Sequence, residues 1–458
     1  MLLFLEEAFF YHYKEMENAF FLDRKSKRET SKAQIYYIFV SFYEGMVFSF
    51  LTLFLNECRK NLSWSPLMSS FSLFLPPLFA AIGLFAFSFL VSHQKRNLKI
   101  MRILCVCSLV ILLFLSILGL ILPTGLNESN KIINSSSYYL LYFLFLLLPS
   151  LLMGLHWSFI SFNTSNIADT NYAEKTKFGH VCIYGALVPI IVSPLAGLIA
   201  ESLLQGYKGY LFLFLVSSPM LIVLFCLTFV FKPYPSSMFH DDDHEKVYLR
   251  DLFKNKTYAL YLLLACLWIP LVWSSDSLTS NFWTALESSS PHINEFNPLT
   301  WGLFIASSSI SEFLIIFINT KFGVGNKVRT SMQISFAVIF VQCLILAILS
   351  YIYNMPLEKG LFIVSILIFI HLGKGVASGF YVTSNMLMLH HIVGPKLRRR
   401  AVFIAPFIFQ LINSVIQLIY PYLTSFRYVS FASFAVVALT GLLISTFLEV
   451  HLLHEKKK

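Results

Sequence analysis

The sequence predicts an all-α membrane protein whose twelve transmembrane helices form two bundles of six. Three observations carry that prediction: a composition too apolar for water, twelve apolar runs long enough to cross a bilayer, and a lopsided placement of basic residues. Of the 458 residues, 57% are hydrophobic and 13% charged, and the mean hydropathy is +0.71. Soluble domains carry about 25% charged residues, so this chain has roughly half the usual charge. That excludes a soluble globule, a disordered chain and a disulfide-stapled secreted domain, and leaves a polytopic bundle of lipid-soluble helices.

A helix needs about 20 predominantly apolar residues to span the hydrocarbon core. Runs of that kind cover residues 33–55, 66–91, 100–122, 138–162, 179–200 and 210–231 in the first half of the chain. In the second half they cover 257–285, 298–318, 330–353, 360–384, 401–423 and 427–448. The longest internal polar segment, 232–256, separates the two sets. The expected organisation is therefore a tail (1–32), a six-helix bundle (33–231), a central loop (232–256), a second six-helix bundle (257–448) and a short tail (449–458). Met1–Tyr13 is apolar but contains Glu6 and Glu7 and has no basic leading segment, so it is not read as a signal peptide.

The basic residues orient these spans. With the N-terminus in the cytoplasm, 27 of the 34 Lys and Arg residues fall on the cytoplasmic side, six fall in outer loops, and Lys374 lies inside a span. The positive-inside rule then places both termini in the cytoplasm, with the cell membrane as the expected location. The same placement argues against nucleic acid as a partner. The net charge is +10, but the basic groups sit in short stretches between apolar runs and no RNA- or DNA-binding motif accompanies them. The expected partners are the lipid bilayer and a small-molecule substrate, with the chain acting as a monomer.

Six of the seven cysteines (105, 107, 182, 226, 266 and 343) fall in apolar runs and read as small buried hydrophobes; Cys58 is expected in a loop. No Cys-x-x-Cys or zinc spacing occurs. His240 and His244 flank three Asp residues in the central loop. A solvated linker is the preferred reading there, because no closed ligand shell surrounds them. No metal or cofactor is expected beyond a coupling ion, H+ or Na+. HExxH, GxSxG and paired-Asp motifs are absent, which argues against an enzyme, and there is no Walker A sequence for ATP.

An internal repeat joins the two sets of spans. At an offset of 219 residues, Gly154 falls on Gly373, Thr164-Ser165-Asn166 on Thr383-Ser384-Asn385, and Lys177 on Lys396. Parallel six-span repeats build one large class of secondary transporters.

With six plus six spans, a long central loop and both ends inside, residues 33–448 resemble the major facilitator superfamily. The local motifs diverge. Between spans 2 and 3 that family carries a Gly-x-x-x-Asp-Arg/Lys-x-Gly-Arg/Lys element, whereas this chain has Ser92-His93-Gln94-Lys95-Arg96. The second copy, Thr320-Lys321-Phe322-Gly323, keeps Lys-x-Gly but lacks the acid. Pro395-Lys-Leu-Arg398-Arg399 is similar to the family's Pro-x-x-Arg-Gly loop, and Ser193-Pro194-Leu-Ala-Gly197 to its Gly-Pro-x-x-Gly element. The resemblance implies the major facilitator fold, with spans 1, 4, 7 and 10 lining a central cavity.

Ionisable and polar residues concentrate on those four spans, where each costs several kcal/mol unless it is paired or faces water. The candidate substrate- or ion-binding residues are Glu44 in span 1, His156 and Trp157 in span 4, Asp276 and Asn281 in span 7, and His371 and Lys374 in span 10. Glu44 and Lys374 both lie near mid-depth, which makes them the expected coupling-ion site and its partner; a purely structural ion pair is the other reading. Asp276 either lines a cavity wall beyond Pro270 or sits in the outer loop. His156 either shuttles protons or is a hydrogen-bonded core residue. Gln410, Asn413 and Gln417 share one face of span 11, which suits interhelical hydrogen bonds as well as substrate contact. Glu312, in span 8, either pairs with basic groups at the cytoplasmic gate or has a structural role, and the structural role is the preferred reading.

The function predicted on these grounds is a secondary active transporter of a small organic solute, coupled to a cation and working by rocking of two bundles. A non-transporting regulator or receptor of the same fold is the second reading. An equilibrative nucleoside-type facilitator is the third, and the basic tail Glu455–Lys458 argues against its usual external C-terminus. With Lys374 as the evident cationic group in a span, sugars, nucleosides or amino acids suit the interior better than phosphorylated or dicarboxylate solutes. Lipophilic drugs remain open.

Overall fold

The computed structural model describes residues 32, 34–58, 66–91, 94–121, 136–170, 175–202, 207–230, 249–269, 271–272, 298–322, 328–352, 360–393, 395–419 and 426–448, and these are almost entirely α-helical. The first six helices are α1 (Gln34–Cys58), α2 (Pro66–Ser88), α3 (Gln94–Ile121), α4 (Ser136–Thr170), α5 (Lys175–Ser202) and α6 (Tyr207–Val230). A short helix, Leu249–Lys254, precedes the second set. That set comprises α7 (Lys256–Ile269), α8 (Pro298–Phe322), α9 (Val328–Ile352), α10 (Gly360–Ile392), α11 (Pro395–Leu418) and α12 (Arg427–Ser445).

Ten of these helices are long and apolar enough to cross a membrane. The other two, α7 and α10, stand at the seventh and tenth expected spans. Asp276, Asn281, His240, His244, the first 31 residues, most of the central loop and the C-terminal tail lie outside the described residues.

Local chemistry sets many of the boundaries. Pro66, Pro298 and Pro395 each open a helix, where the missing N–H costs nothing and the fixed φ suits the first turn. Asn255 caps α7, its Oδ1 accepting the Tyr258 backbone N–H at 3.0 Å. Two helices overrun their expected ends: α4 continues to Thr170 and α10 to Ile392. An apolar window stops where polar residues begin, whereas the backbone hydrogen-bond ladder continues past the bilayer edge. Cys58 departs from expectation for the same reason. It lies in the last turn of α1, fully buried, rather than in a loop.

The polarity of inside and outside is the reverse of a soluble protein's. Ile103, Ile191 and Val436 are more than 60% exposed, while Asn97, Ser150 and Ser158 are completely buried. Lipid tolerates the exposed apolar chains, and the interior supplies partners for the polar ones. Ser158, for example, donates to the Gly154 carbonyl at 2.8 Å. The protein is an integral multi-pass membrane protein.

In the first bundle α2 packs on α4, and α3 on both α4 and α6. In the second, α10 packs on α8 and α9, and α9 on α12. The bundles meet mainly where α5 packs on α8 and α2 on α11, with lesser contacts of α4 on α11 and of α5 on α10. At the α5–α8 crossing Gly197 and Gly302 each face the backbone of the other helix. A Cβ on Gly302 would overlap the Ser193 carbonyl oxygen, and one on Gly197 would overlap that of Pro298. Residues at matching places of the repeat are equally buried: Thr164 and Thr383 are 8% and 9% exposed, and Ser165 and Ser384 are both 0% exposed.

Candidate functional site

A cavity of about 600 Å³ lies between the two bundles. Its walls come from α1, α4, α7 and α10, as the resemblance implies, and equally from α2, α5, α8 and α11. Glu44, Trp157, His371 and Lys374 all line it.

Glu44 projects from the middle of α1 with its side chain 47% exposed. Its Oε1 lies 3.9 Å from His156 Nε2 on α4. His156 is buried behind this contact, its ring stacked on Phe48 at 3.7 Å between centroids and edge-on to Tyr43 at 6.0 Å. The carboxylate expected to face Lys374 therefore has a histidine as its close partner. Helical spacing shows which residues share a face of one helix, but not which helices meet face to face.

Lys374 acts on a different carboxylate. Glu312 of α8 lines the cavity and lies within electrostatic range of both Lys374, which attracts it, and Glu44, which repels it. The helix crossing explains the arrangement. A Cβ on Gly375 would overlap both the Ser308 carbonyl oxygen and Ser311 Oγ, so only glycine lets α10 approach α8 this closely. Ser311 Oγ also donates to the Leu372 carbonyl at 2.7 Å, bridging α8 to α10 one turn from Lys374. The sequence favours a structural role for Glu312, because span 8 lies outside the helices expected to line the cavity. The run Ser307-Ser308-Ser309-Ile310-Ser311-Glu312 was the available signal, since a polar stretch inside a span needs a polar environment.

The remaining wall is largely aromatic. Trp268 of α7 and Tyr381 of α10 stack in parallel at 3.9 Å and 4°. The indole N–H of Trp268 donates to Ser335 Oγ of α9 at 2.6 Å, and Ser335 donates on to the Ala377 carbonyl of α10 at 2.7 Å. This chain of contacts ties three helices of the second bundle together. Tyr261 of α7 donates to Asn385 Oδ1, the last member of the repeated triplet, and Asn385 lines the cavity. His371 stacks on Phe304 at 5.2 Å and lies edge-on to Trp301. The Trp301 indole N–H crosses between bundles to the Ser49 carbonyl at 3.1 Å. Of the polar face predicted on span 11, Asn413 and Gln417 reach the cavity wall, whereas Gln410 is fully buried elsewhere in the bundle. Among the described residues no cluster of His, Cys, Asp and Glu suits a metal ion.

No protein-family model matches the sequence, and no curated protein is similar to it in sequence. Solved structures do match. A mutant of the nucleoside transporter NupG superposes with a TM-score of 0.62 at 13% identity, covering 92% of this chain and 99% of that one. The major facilitator superfamily proton:xylose symporter XylE, bound to 6-bromo-6-deoxy-D-glucose, superposes with a TM-score of 0.64 at 14% identity, covering 91% and 95%. The chain has the major facilitator fold. Within that fold the cavity occupies the interface of the two bundles. Any change in the angle between the bundles must alter access to Glu44, Glu312 and Lys374 together.

Proposed function

We propose that this protein is a secondary active transporter that carries a small organic solute across a membrane by alternating exposure of the inter-bundle cavity. The observation that carries the reading is the placement of Glu44, Glu312 and Lys374 on the walls of one cavity bounded by both bundles. Charged groups held in a membrane interior are expensive, and a static scaffold has no need to gather them where two halves meet. Cation coupling, with a proton the favoured ion, fits a carboxylate that contacts a histidine at 3.9 Å, since both side chains can take up and release protons. The neighbours in fold are a nucleoside transporter and a proton:xylose symporter, and solutes of that size suit a cavity of about 600 Å³. A monomer in the cell membrane with both termini cytoplasmic completes the proposal, resting on the 27-to-six charge bias.

The test is uptake by proteoliposomes of labelled adenosine, xylose and choline with and without an inward proton gradient. Accumulation above the equilibrium level that collapses with a protonophore supports coupled transport. Equilibration unaffected by the gradient would leave a facilitator, and binding without passage of any bound solute would leave the receptor reading.

A further inference from the structure

Among the described residues that line the cavity, the charged side chains are Glu44, Glu312 and Lys374. Glu312 is attracted by Lys374 within the second bundle, whereas Glu44 belongs to the first. In a site walled by lipid-embedded helices an ionised carboxylate is poorly screened, and it favours a ligand that brings a positive charge.

The geometry indicates which carboxylate is accessible. Lys374 attracts Glu312 across the close α8–α10 crossing. Glu44 stands on the first bundle with nearly half of its side chain exposed, and its histidine contact, at 3.9 Å, is longer than a hydrogen bond. It is the carboxylate left open to a ligand. Aromatic rings occupy the same walls: Phe48, Trp157, Trp268 and Trp301 all line the cavity. Ring faces attract ammonium groups, and they also pack against an apolar body.

We propose that the transported solute is an organic monocation, an ammonium group attached to an apolar or aromatic body, with Glu44 as the anchor for the ammonium. The proposal rests on the transporter reading and deepens it by naming the solute class. An anionic solute is repelled by Glu44, and a neutral solute leaves that carboxylate without a counter-charge.

The experiment compares isosteres that differ in charge on purified full-length protein at pH 7.5: choline with 3,3-dimethylbutanol, 2-phenylethylamine with 2-phenylethanol, and tryptamine with tryptophol. Binding is read by thermal shift over a concentration series. At least one ammonium member should bind tenfold or more tightly than its neutral partner, and Glu44→Gln should remove that preference. If all three neutral members bind as well as their cations, the proposal is overturned. If the preference survives Glu44→Gln, the assignment of the anchor is wrong. A neutral member that comes to bind as tightly as its cation when the pH falls, or with added Na+, shows that the site takes a neutral solute together with a coupling cation; that overturns the solute class and leaves cation coupling standing. Should Glu44→Gln fail to fold, Glu44→Asp replaces it; the shortened carboxylate should weaken the ammonium member and leave its neutral partner unchanged. Counterflow of the tightest-binding member in proteoliposomes separates this inference from the transporter reading. Cation-selective binding without counterflow sinks transport alone, and counterflow without charge preference sinks the solute class alone.

Discussion

Replacing Gly302 by alanine should push the two bundles apart at the end where α5 meets α8. The new Cβ would lie 2.8 Å from the Ser193 carbonyl carbon and 3.0 Å from Pro194 Cα, as well as overlapping the Ser193 oxygen. Carbon pairs pack best at about 3.5–4.0 Å, so the two backbones must part by roughly 1 Å. No flexible side chain is available to yield, since all three atoms belong to the backbone. Overpacking of this kind costs about 1–3 kcal/mol. The penalty falls only on the conformation in which α5 and α8 touch here. A conformation opened at this end escapes it, so the equilibrium should shift by a factor of roughly 5 to 150. The Trp301–Ser49 hydrogen bond joins the same conformation, so Trp301→Phe should shift it the same way by about 1 kcal/mol. The assay is pulsed electron resonance between spin labels at Leu198→Cys and Leu303→Cys, two exposed positions beside the contact, with the native cysteines removed. The population at longer distance should grow in Gly302→Ala. An unchanged distance distribution in a folded variant would refute the argument that this crossing is a contact of one state only.

Two further outcomes follow from the packing. Removing Lys374 withdraws the charge that attracts Glu312, and Lys374→Ala should destabilise the protein by up to about 3 kcal/mol, with Lys374→Ala/Glu312→Ala recovering part of the loss. Additive effects in a double-mutant cycle read by thermal unfolding in detergent would show that the two groups do not interact. Arg102 ties α3 to the end of α6, its Nε donating to Thr228 Oγ1 at 2.9 Å and its Nη2 to the Thr228 carbonyl at 3.1 Å, with the guanidinium 3.7 Å from the Phe229 ring centre. Arg102→Ala should cost about 2 kcal/mol and lower Tm without altering solute preference; a changed preference would give Arg102 a role beyond packing.

The fold was legible because lipid makes a simple demand: each span must be apolar for its whole length, and the chain announces its orientation with basic loops. Helix overruns such as α4 to Thr170 escaped that reading, since hydropathy marks the bilayer and not the helix. At the site, Glu44, Trp157, His371 and Lys374 were each identifiable as polar or amphipathic groups in a span. Their pairing was not. Whether Glu44 meets His156 or Lys374 depends on how helices distant in sequence rotate against each other, and no periodicity within one helix records that. Glu312 is visible in the sequence as an acid in a span, but its place in the helix order gives no reason to set it in the cavity wall; the four serines around it are the signal of a polar face.

The central claim, that one cavity is exposed alternately to the two sides of the membrane, is tested most directly by labelling a single thiol at Ser378→Cys, a cavity-lining position on α10. The native cysteines are replaced, and a membrane-impermeant thiol reagent is applied in turn to each face of sealed vesicles holding protein of known orientation. Alternating access predicts labelling from both faces, with Gly302→Ala accelerating it from the face at which α5 and α8 have parted and slowing it from the other. Labelling confined to one face in both proteins, with the fold intact, would contradict the account.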